Sequence, residues 1–330
     1  MNNEYRSINR IFNISSEEEF NDLALEIFNF QYLNTQTYHD FVNYLNISVS
    51  SVKHYSGIPF MPIELFKTQR ILHSEGTYMQ LFRSSGTSGP NTSRHYVKDT
   101  SIYKKSFEKA FEYFYGDPRD YCFLALLPSY MERDGSSLIY MFEHLIRKSK
   151  FPQSGFYLSH QGELIEHIAE LSSLKAPVVL IGVSFALLDF AETFPMNLSG
   201  ITVMETGGMK GRRKEMLKEE LHHILKQGFS SQSIHSEYGM TELLTQAYSS
   251  GNNLFETPPW MKILIRDTND PLTLLSDNKN GGINVIDLAN VYSCSFIATQ
   301  DIGKRYADGS FEVLGRFDNS DIRGCNLLLL

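Results

Sequence analysis

The chain reads as an α/β protein, with mostly parallel sheets flanked by helices and a small β-rich subdomain at its C-terminal end. Three observations predict this. YCFLAL (121–126) and PVVLIGVSF (177–185) are short, apolar throughout and bounded by turn formers, the pattern of strands buried on both faces. ITVME (201–205), a charged helical stretch from Lys210 to Gln227 and SIHSEYG (233–239) continue an alternation of strand and helix that builds a parallel sheet. From about residue 260 the pattern changes: MKILIRD, GGINVIDL and GSFEVLGRF are short strands separated by turns, which predicts antiparallel pairing. The expected division is an α/β core over 1–259 and a β-rich subdomain over 260–330.

Residues 16 to 50 are helical in character. Ser15 or Ser16 suits a cap, Glu17 to Glu19 suit a first turn, and Phe20, Leu23, Ile27 and Phe28 recur at helical spacing. This region packs and carries no chemistry of its own. IPFMPIELFKTQR (58–70) has two prolines among apolar residues and predicts an ordered connection instead of a long helix. A Ser/Thr/Gly-rich loop follows at 84–93, and no internal repeat is present.

Composition narrows the function classes. Hydrophobic residues make up 42% of the 330 positions and aromatics 13%, enough for a large core, while 21% charged residues excludes a disordered or coiled-coil chain. A formal charge of −8 argues against a broad nucleic-acid footprint and favours a small-molecule partner. The opening MNNEYRSINRIFNISSEEEF lacks an apolar signal core, and no uncharged run reaches the roughly 20 residues that span a bilayer, so a cytoplasmic protein without a membrane span is expected. Cys122, Cys294 and Cys325 are odd in number and lack metal-ligand spacing, which indicates neither a disulfide framework nor a zinc site. His144, His160, His167, His222 and His223 show no HExxH-like spacing and read as surface or core histidines.

Three segments carry candidate chemistry. In LFRSSGTSGPNTSRHYV (81–97), Ser84, Ser85, Thr87, Ser88, Thr92 and Ser93 offer hydroxyls, and Gly86 and Gly89 let the backbone present N–H groups to an anion. The kinase-type GxxxxGK[ST] loop is absent, so a phosphate site here differs from that of P-loop enzymes; a solvated connection is the ordinary alternative. HSEYGMTEL (235–243) places Tyr238, Thr241 and Glu242 around Gly239 at the end of a predicted strand, the edge where ligands bind parallel sheets. A ring stacks on a base, a hydroxyl holds a phosphate and a carboxylate holds Mg²⁺, although a turn with a buried tyrosine explains the same residues. In TQDIGKRYADGSFEVLGRFDNSDIRGCN (299–326), Asp301 suits ribose hydroxyls and Arg316 a phosphate; taken singly, both are ordinary surface charges.

Together, in this order and spacing, the three segments resemble the adenylate-forming superfamily of acyl-CoA synthetases, luciferases and peptide-synthetase adenylation domains. SSGTSG is similar to its phosphate loop, YGMTE to its YGxTE motif and TQD…GRFD to its TGD…GRxD pair, with TQD standing where the superfamily has TGD. ETGGMKGR (205–212) sits where the family places its adenine-lining loop, which makes Gly207 and Gly208 candidates. Within the superfamily the chain resembles LuxE-type acyl-protein synthetases through IPFMPIELFK, FRSSGTSG, GVSFALLDF, ETGGMKGR, SEYGMTE and GRFDNSDIRGCNLL; the likeness spans about residues 58–326.

The resemblance implies an adenylate-forming core without a C-terminal lid, since 12 residues follow Asp318, the position matching the hinge. It implies ATP and Mg²⁺ as cofactors and a fatty or other carboxylic acid as substrate. Ser84, Ser85, Gly86, Thr87, Ser88 and Gly89 would hold the outer phosphates, and Gly207, Gly208, Tyr238, Gly239 and Asp301 the nucleoside. Thr241 would meet the α-phosphate, Glu242 the Mg²⁺ and Arg316 the developing charge. Cys325 matches the cysteine that LuxE-type enzymes acylate before passing the acyl group to a partner reductase, with a carrier protein as another acceptor, and Arg323 lies close enough in sequence to favour its thiolate. Two other readings stand beside this one. PVVLIGVSFALLDF also suits the elbow of an α/β-hydrolase with Ser184 as nucleophile and His222 or His235 as base, although Ala186 replaces the final glycine. A non-catalytic nucleotide-binding subunit is the third.

Overall fold

The computed structural model describes residues 7–73, 76–84, 92–128, 135–208, 213–214 and 216–317. The chain begins with helices α1 (Ile8–Ile11), α2 (Glu17–Asn34) and α3 (Gln36–Tyr44). α2 has a reciprocal cap: the Ser16 hydroxyl accepts from the Glu19 amide, and the Glu19 carboxylate accepts from the Ser15 amide at 2.8 Å. Its buried stripe, Phe20, Leu23, Ala24, Ile27 and Phe28, has the expected helical spacing and ends in a buried polar residue, Gln31.

The proline-interrupted connection contributes two short elements, β1 (Met61–Pro62) and α4 (Leu65–Thr68). Next come β2 (Gln80–Arg83) and β3 (Arg94–Val97), an antiparallel hairpin in which Arg83 opposes Arg94. The Ser/Gly-rich segment is therefore the connection of this hairpin. α5 (Thr100–Tyr115) follows, capped by the Asp99 carboxylate on the Ser101 amide and ended by Gly116 at φ 95°.

The expected alternation then runs β4 (Cys122–Leu126), α6 (Ser137–Lys148), β5 (Gly155–Phe156), α7 (Gln161–Ser173), β6 (Val178–Val183), α8 (Ser184–Thr193), β7 (Thr202–Thr206), α9 (Lys218–Phe229), β8 (His235–Tyr238) and β9 (Ala247–Ser249). The six strands form one sheet in the order β5-β4-β6-β7-β8-β9, parallel except for the edge strand β9. Every residue of β4 and β6 is buried, which is why both read as unbroken apolar runs. α9 starts later than the sequence suggests. Residues 213, 214, 216 and 217 are not helical, and the helix begins at Lys218 with Glu219 and Glu220 in its first turn. Arg213 and Lys214 would oppose the dipole at a helix start, whereas the glutamates favour it.

β10 (Met261–Arg266), β11 (Asn280–Asp287), β12 (Phe296–Arg305) and β13 (Phe311–Arg316) form a second, mainly antiparallel sheet. β1 joins it in parallel, pairing Met61 with Ile297 and Pro62 with Ala298, so this sheet closes only with a strand from the first fifth of the chain. Gln31 reinforces the link, donating to the Asn290 and Val291 carbonyls at 3.0 Å and accepting from the Ser295 amide. Among the described residues no helix is long and apolar enough to cross a membrane.

Candidate active site

Four strands of the parallel sheet end at one cleft of about 830 Å³, a size suited to a nucleotide or a similar ligand. Leu127 and Pro128 follow β4, Val183 and Ser184 end β6, Glu205 to Gly208 end β7, and Glu237 to Glu242 end β8. This is the carboxyl edge where open α/β sheets bind ligands. The opposite wall comes from the second sheet through Gln300, Asp301 and Val313 to Arg316.

The cleft brings together Ser84, Gly207, Gly208, Tyr238, Gly239, Thr241, Glu242, Asp301 and Arg316, each singled out in the sequence. Ser85, Gly86, Thr87, Ser88, Gly89 and Cys325 lie outside the described residues, as do Asp318 and Arg323. The stem of the 84–93 segment is closed by the Ser84 amide on the Ser93 carbonyl at 3.1 Å and the Ser93 amide on the Ser84 hydroxyl at 3.0 Å. Its two ends thus enter the cleft side by side.

TQD and the Gly315–Arg316 pair of GRFD lie on the two sides of one hairpin. Asp301 on β12 opposes Arg316 on β13, and Arg316 Nε lies 3.1 Å from Asp301 Oδ1. The other carboxylate oxygen accepts the Tyr238 hydroxyl at 2.8 Å. Burial pushes the Asp301 carboxyl up, with Arg316 and Tyr238 opposing that shift, and burial beside Asp301 raises the Tyr238 phenol well above its usual value. Gln300 is not at a tight turn: it lies within β12, and its amide donates to Glu64 Oε1 at 2.6 Å.

The segment after β8 is held from beneath. His95 Nδ1 lies 2.8 Å from the Thr241 carbonyl and His95 Nε2 3.1 Å from Asn290 Oδ1, while the Asn290 amide donates to the Glu242 carbonyl at 2.7 Å. Both acceptors favour a charged imidazole, but complete burial outweighs them and pulls its pKa down to about 4. Asp287 accepts from the Leu244 and Thr245 amides and the Thr245 hydroxyl at 2.6–3.1 Å. Gly239 cannot be replaced without displacement, because a Cβ there would sit 2.3 Å from Glu237 Oε1. Gly207 has φ 70°, a conformation that glycine adopts freely. The Glu242 carboxyl is nearly covered; burial raises its pKa, and the Ser93 hydroxyl, Arg316 and Lys67 act against that shift.

Sequence reasoning missed several residues of the cleft. Glu205 is buried with Lys218 Nζ 2.9 Å and His222 Nε2 3.5 Å from its carboxylate. Burial works to raise its pKa, yet Lys218, His222 and Ser236 prevail and hold it at about 2. Lys218 also lies 4.3 Å over the Phe255 ring. Lys67 and Arg83 complete the polar side beside Ser93, which the sequence had offered as a hydroxyl, and only the fold brings the two cations to the cleft. Ser184 is buried, with its hydroxyl 3.2 Å from Glu205 Oε2 and 3.0 Å from the Gly207 carbonyl, neither of them an imidazole. His222 instead faces Ser236 and Glu205, and His235 lies 3.1 Å from the Tyr115 hydroxyl.

Two of the three cysteines are buried structural groups: desolvation raises the thiol of Cys122 to about 11 and that of Cys294 to about 12. Among the described residues no cluster of three or more His, Cys, Asp or Glu side chains is placed to hold a metal.

No protein-family model matches the chain, and no curated protein sequence matches it. Solved structures do. ATP-bound MatB from Rhodopseudomonas palustris superposes with a TM-score of 0.53 at 14% identity, covering 72% of this chain and 47% of that one. An open conformation of 2-hydroxyisobutyryl-CoA ligase in complex with 2-HIB-AMP and CoA superposes with a TM-score of 0.65 at 11% identity, covering 92% of this chain and 70% of that one. The chain thus spans about half the length of MatB. At such identities the likeness shows the fold alone: the chain shares the mixed α/β architecture of these two solved structures, the fold class that the sequence predicts.

Proposed function

We propose that the chain activates a carboxylic acid with ATP. A carboxylate oxygen attacks the α-phosphorus, the bond from that phosphorus to the bridging oxygen breaks, and pyrophosphate leaves with the electron pair, so that acyl-AMP remains. The observation that carries this reading is the convergence of three segments, remote in sequence, on one cleft: the stem of the Ser/Gly-rich loop, YGMTE after β8, and the Asp301–Arg316 hairpin.

Phosphorus chemistry of this kind is mainly a matter of positioning and charge. In this reading the hydroxyls and backbone amides of residues 84–89 hold the β- and γ-phosphates, and Thr241 meets the α-phosphate. The base lies between Gly207–Gly208 and the Tyr238 ring. Asp301 keeps lone pairs for ribose hydroxyls, since a carboxylate has about four acceptor sites and Tyr238 and Arg316 use two. Arg316, whose side chain is largely exposed, holds Asp301 through Nε and keeps its other guanidinium N–H groups for developing charge.

Glu242 fits a Mg²⁺ site. Its carboxylate faces the cleft with its charge opposed by burial, a cost that a divalent cation offsets, and Mg²⁺ held by one carboxylate plus phosphates needs no dense ligand cluster. When bound, the ion neutralises phosphate charge. The acid is a fatty acid, seated along the apolar lining of Leu127, Leu138, Met141, Met216 and Leu217. The Cys325 thiolate attacks the acyl carbon, the bond from that carbon to the phosphate oxygen breaks and AMP leaves. The thioester's acyl group then passes to a nucleophile of a partner reductase or carrier protein with return of the thiolate, as in the LuxE-type enzymes that the sequence resembles.

Acid-dependent exchange of labelled pyrophosphate into ATP, run across acids of increasing chain length, tests the reading. Exchange that peaks with a fatty acid is expected. A chain that binds ATP without exchange for any acid is a non-catalytic nucleotide-binding subunit, and ester hydrolysis lost in Ser184→Ala would restore the hydrolase alternative.

A further inference from the structure

The Ser/Gly-rich segment from Ser84 to Ser93 contains no lysine or arginine, yet a triphosphate brings up to four negative charges. Backbone amides and hydroxyls solvate such charge without cancelling it, so the balancing cations must come from elsewhere in the cleft. Among the described residues four basic side chains line it: Lys67, Arg83, Lys218 and Arg316. Lys218 is committed to Glu205 at 2.9 Å, on the Phe255 side of the cleft, and Arg316 to Asp301 at 3.1 Å. Among the described residues neither Lys67 nor Arg83 has a carboxylate within ion-pair distance, but Arg83 is exposed, whereas Lys67 is half-buried and its charge is felt at the buried Glu242.

The backbone of Lys67 is held from three sides. Before it, the Ile63 amide donates to the Ala298 carbonyl at 3.0 Å, and Glu64 accepts the Gln300 amide, which ties α4 to β12. Beneath it, Phe66 is fully buried against His95. Beside it, Arg94 donates to the Lys67 carbonyl at 3.2 Å, and Arg94 is the cross-strand partner of Arg83 at the mouth of the loop. The lysine is thus a half-exposed cation on a rigid base, between the loop stem and Glu242.

Resting on the ATP-dependent reading above, we propose that Lys67 is the cation that meets the outer phosphates of the bound nucleotide, from outside the three segments that carry the resemblance. It forms charge-assisted hydrogen bonds to β- or γ-phosphate oxygens and does not touch the nucleoside. Gln300, which stands where the superfamily has glycine, gains a purpose in this arrangement, because its side chain holds Glu64 at the start of the helical turn that presents Lys67.

Titration calorimetry with MgATP and with AMP, on wild type, Lys67→Ala and Lys67→Arg, tests this. Lys67→Ala should bind MgATP about 10- to 100-fold more weakly and AMP as wild type does, corresponding to the loss of a charge-assisted contact. Lys67→Arg should recover most of the MgATP affinity, which a purely structural role for the position would not predict. Unchanged MgATP affinity in Lys67→Ala overturns the proposal, and so does an equal loss for AMP. Wild type failing to bind MgATP would instead sink the ATP-dependent reading itself.

Discussion

The Tyr238 hydroxyl donates to Asp301 Oδ2 at 2.8 Å, a bond from the parallel sheet to the antiparallel one at the cleft. Tyr238 ends β8 and Asp301 lies in β12, 63 positions further along the chain. Tyr238→Phe should therefore lower both stability, by about 1–3 kcal/mol, and nucleotide affinity, because it leaves a buried carboxylate oxygen without its donor. Thermal unfolding with and without MgATP reads both. A variant that melts and binds like wild type would mean that the bond is incidental.

Glu242→Gln should abolish acid-dependent pyrophosphate exchange, by on the order of 100-fold to 1000-fold, with the fold intact. Near-normal exchange would remove the metal role. Wild type should also show a pH signature. Burial raises the Glu242 carboxyl above its ordinary value of 4.5, so folding favours its protonated form and the resulting stability is lost as pH rises through that raised pKa. Mg²⁺ requires the carboxylate, so MgATP should stabilise the protein more at pH 7.5 than at pH 5. Equal stabilisation at both would contradict the assignment.

His95 carries a stability prediction of the opposite sign. Its pKa is lowered from 6.5 to about 4, so the unfolded chain binds the proton more readily. The stability it contributes is complete above about pH 6.5 and declines as pH falls through 4, by about 3 kcal/mol in all. His95→Gln should flatten this limb of the curve of unfolding free energy against pH. If denaturant melts of wild type and variant stay parallel from pH 7 to pH 4, the imidazole is not held neutral.

Cys325→Ser should separate the two half-reactions of the proposed activity. Acyl-AMP formation should survive, while a protein-bound acyl label, released from wild type by hydroxylamine as a thioester is, should vanish because an unactivated hydroxyl is a far weaker nucleophile than a thiolate. A label that persists in the variant assigns the acyl group to another residue.

Much of the architecture was legible because its signals are local. Strands buried on both faces of a parallel sheet read as unbroken apolar runs, and β4 and β6 do. Tyr238, Thr241, Glu242, Asp301 and Arg316 were legible as motif members, and the cleft gathers them. Two kinds of feature were not. The start of α9 depends on basic residues facing a helix dipole, a weaker signal than the hydrophobic pattern that suggested an earlier beginning. Lys67, His95 and Lys218 owe their positions to long-range packing: His95 reaches a carbonyl 146 residues away, and nothing around it in the sequence marks that contact.

The strand pairing of β1 with β12 has a consequence for how the chain is made. Gln31 waits for partners 259 residues downstream, and Phe28 and Tyr38 wait for Phe296, against which their rings pack at 6.2 and 6.1 Å. At ordinary rates of synthesis this interval lasts on the order of 10 to 50 s, during which the apolar faces of α2 and α3 lack the surface that covers them. The first helices made are among the last to be buried. Misfolding and chaperone capture should accordingly concentrate on the N-terminal helices, and a ribosome stalled before residue 296 should hold a chain whose early helices are open to protease while the strands of the parallel sheet are already protected.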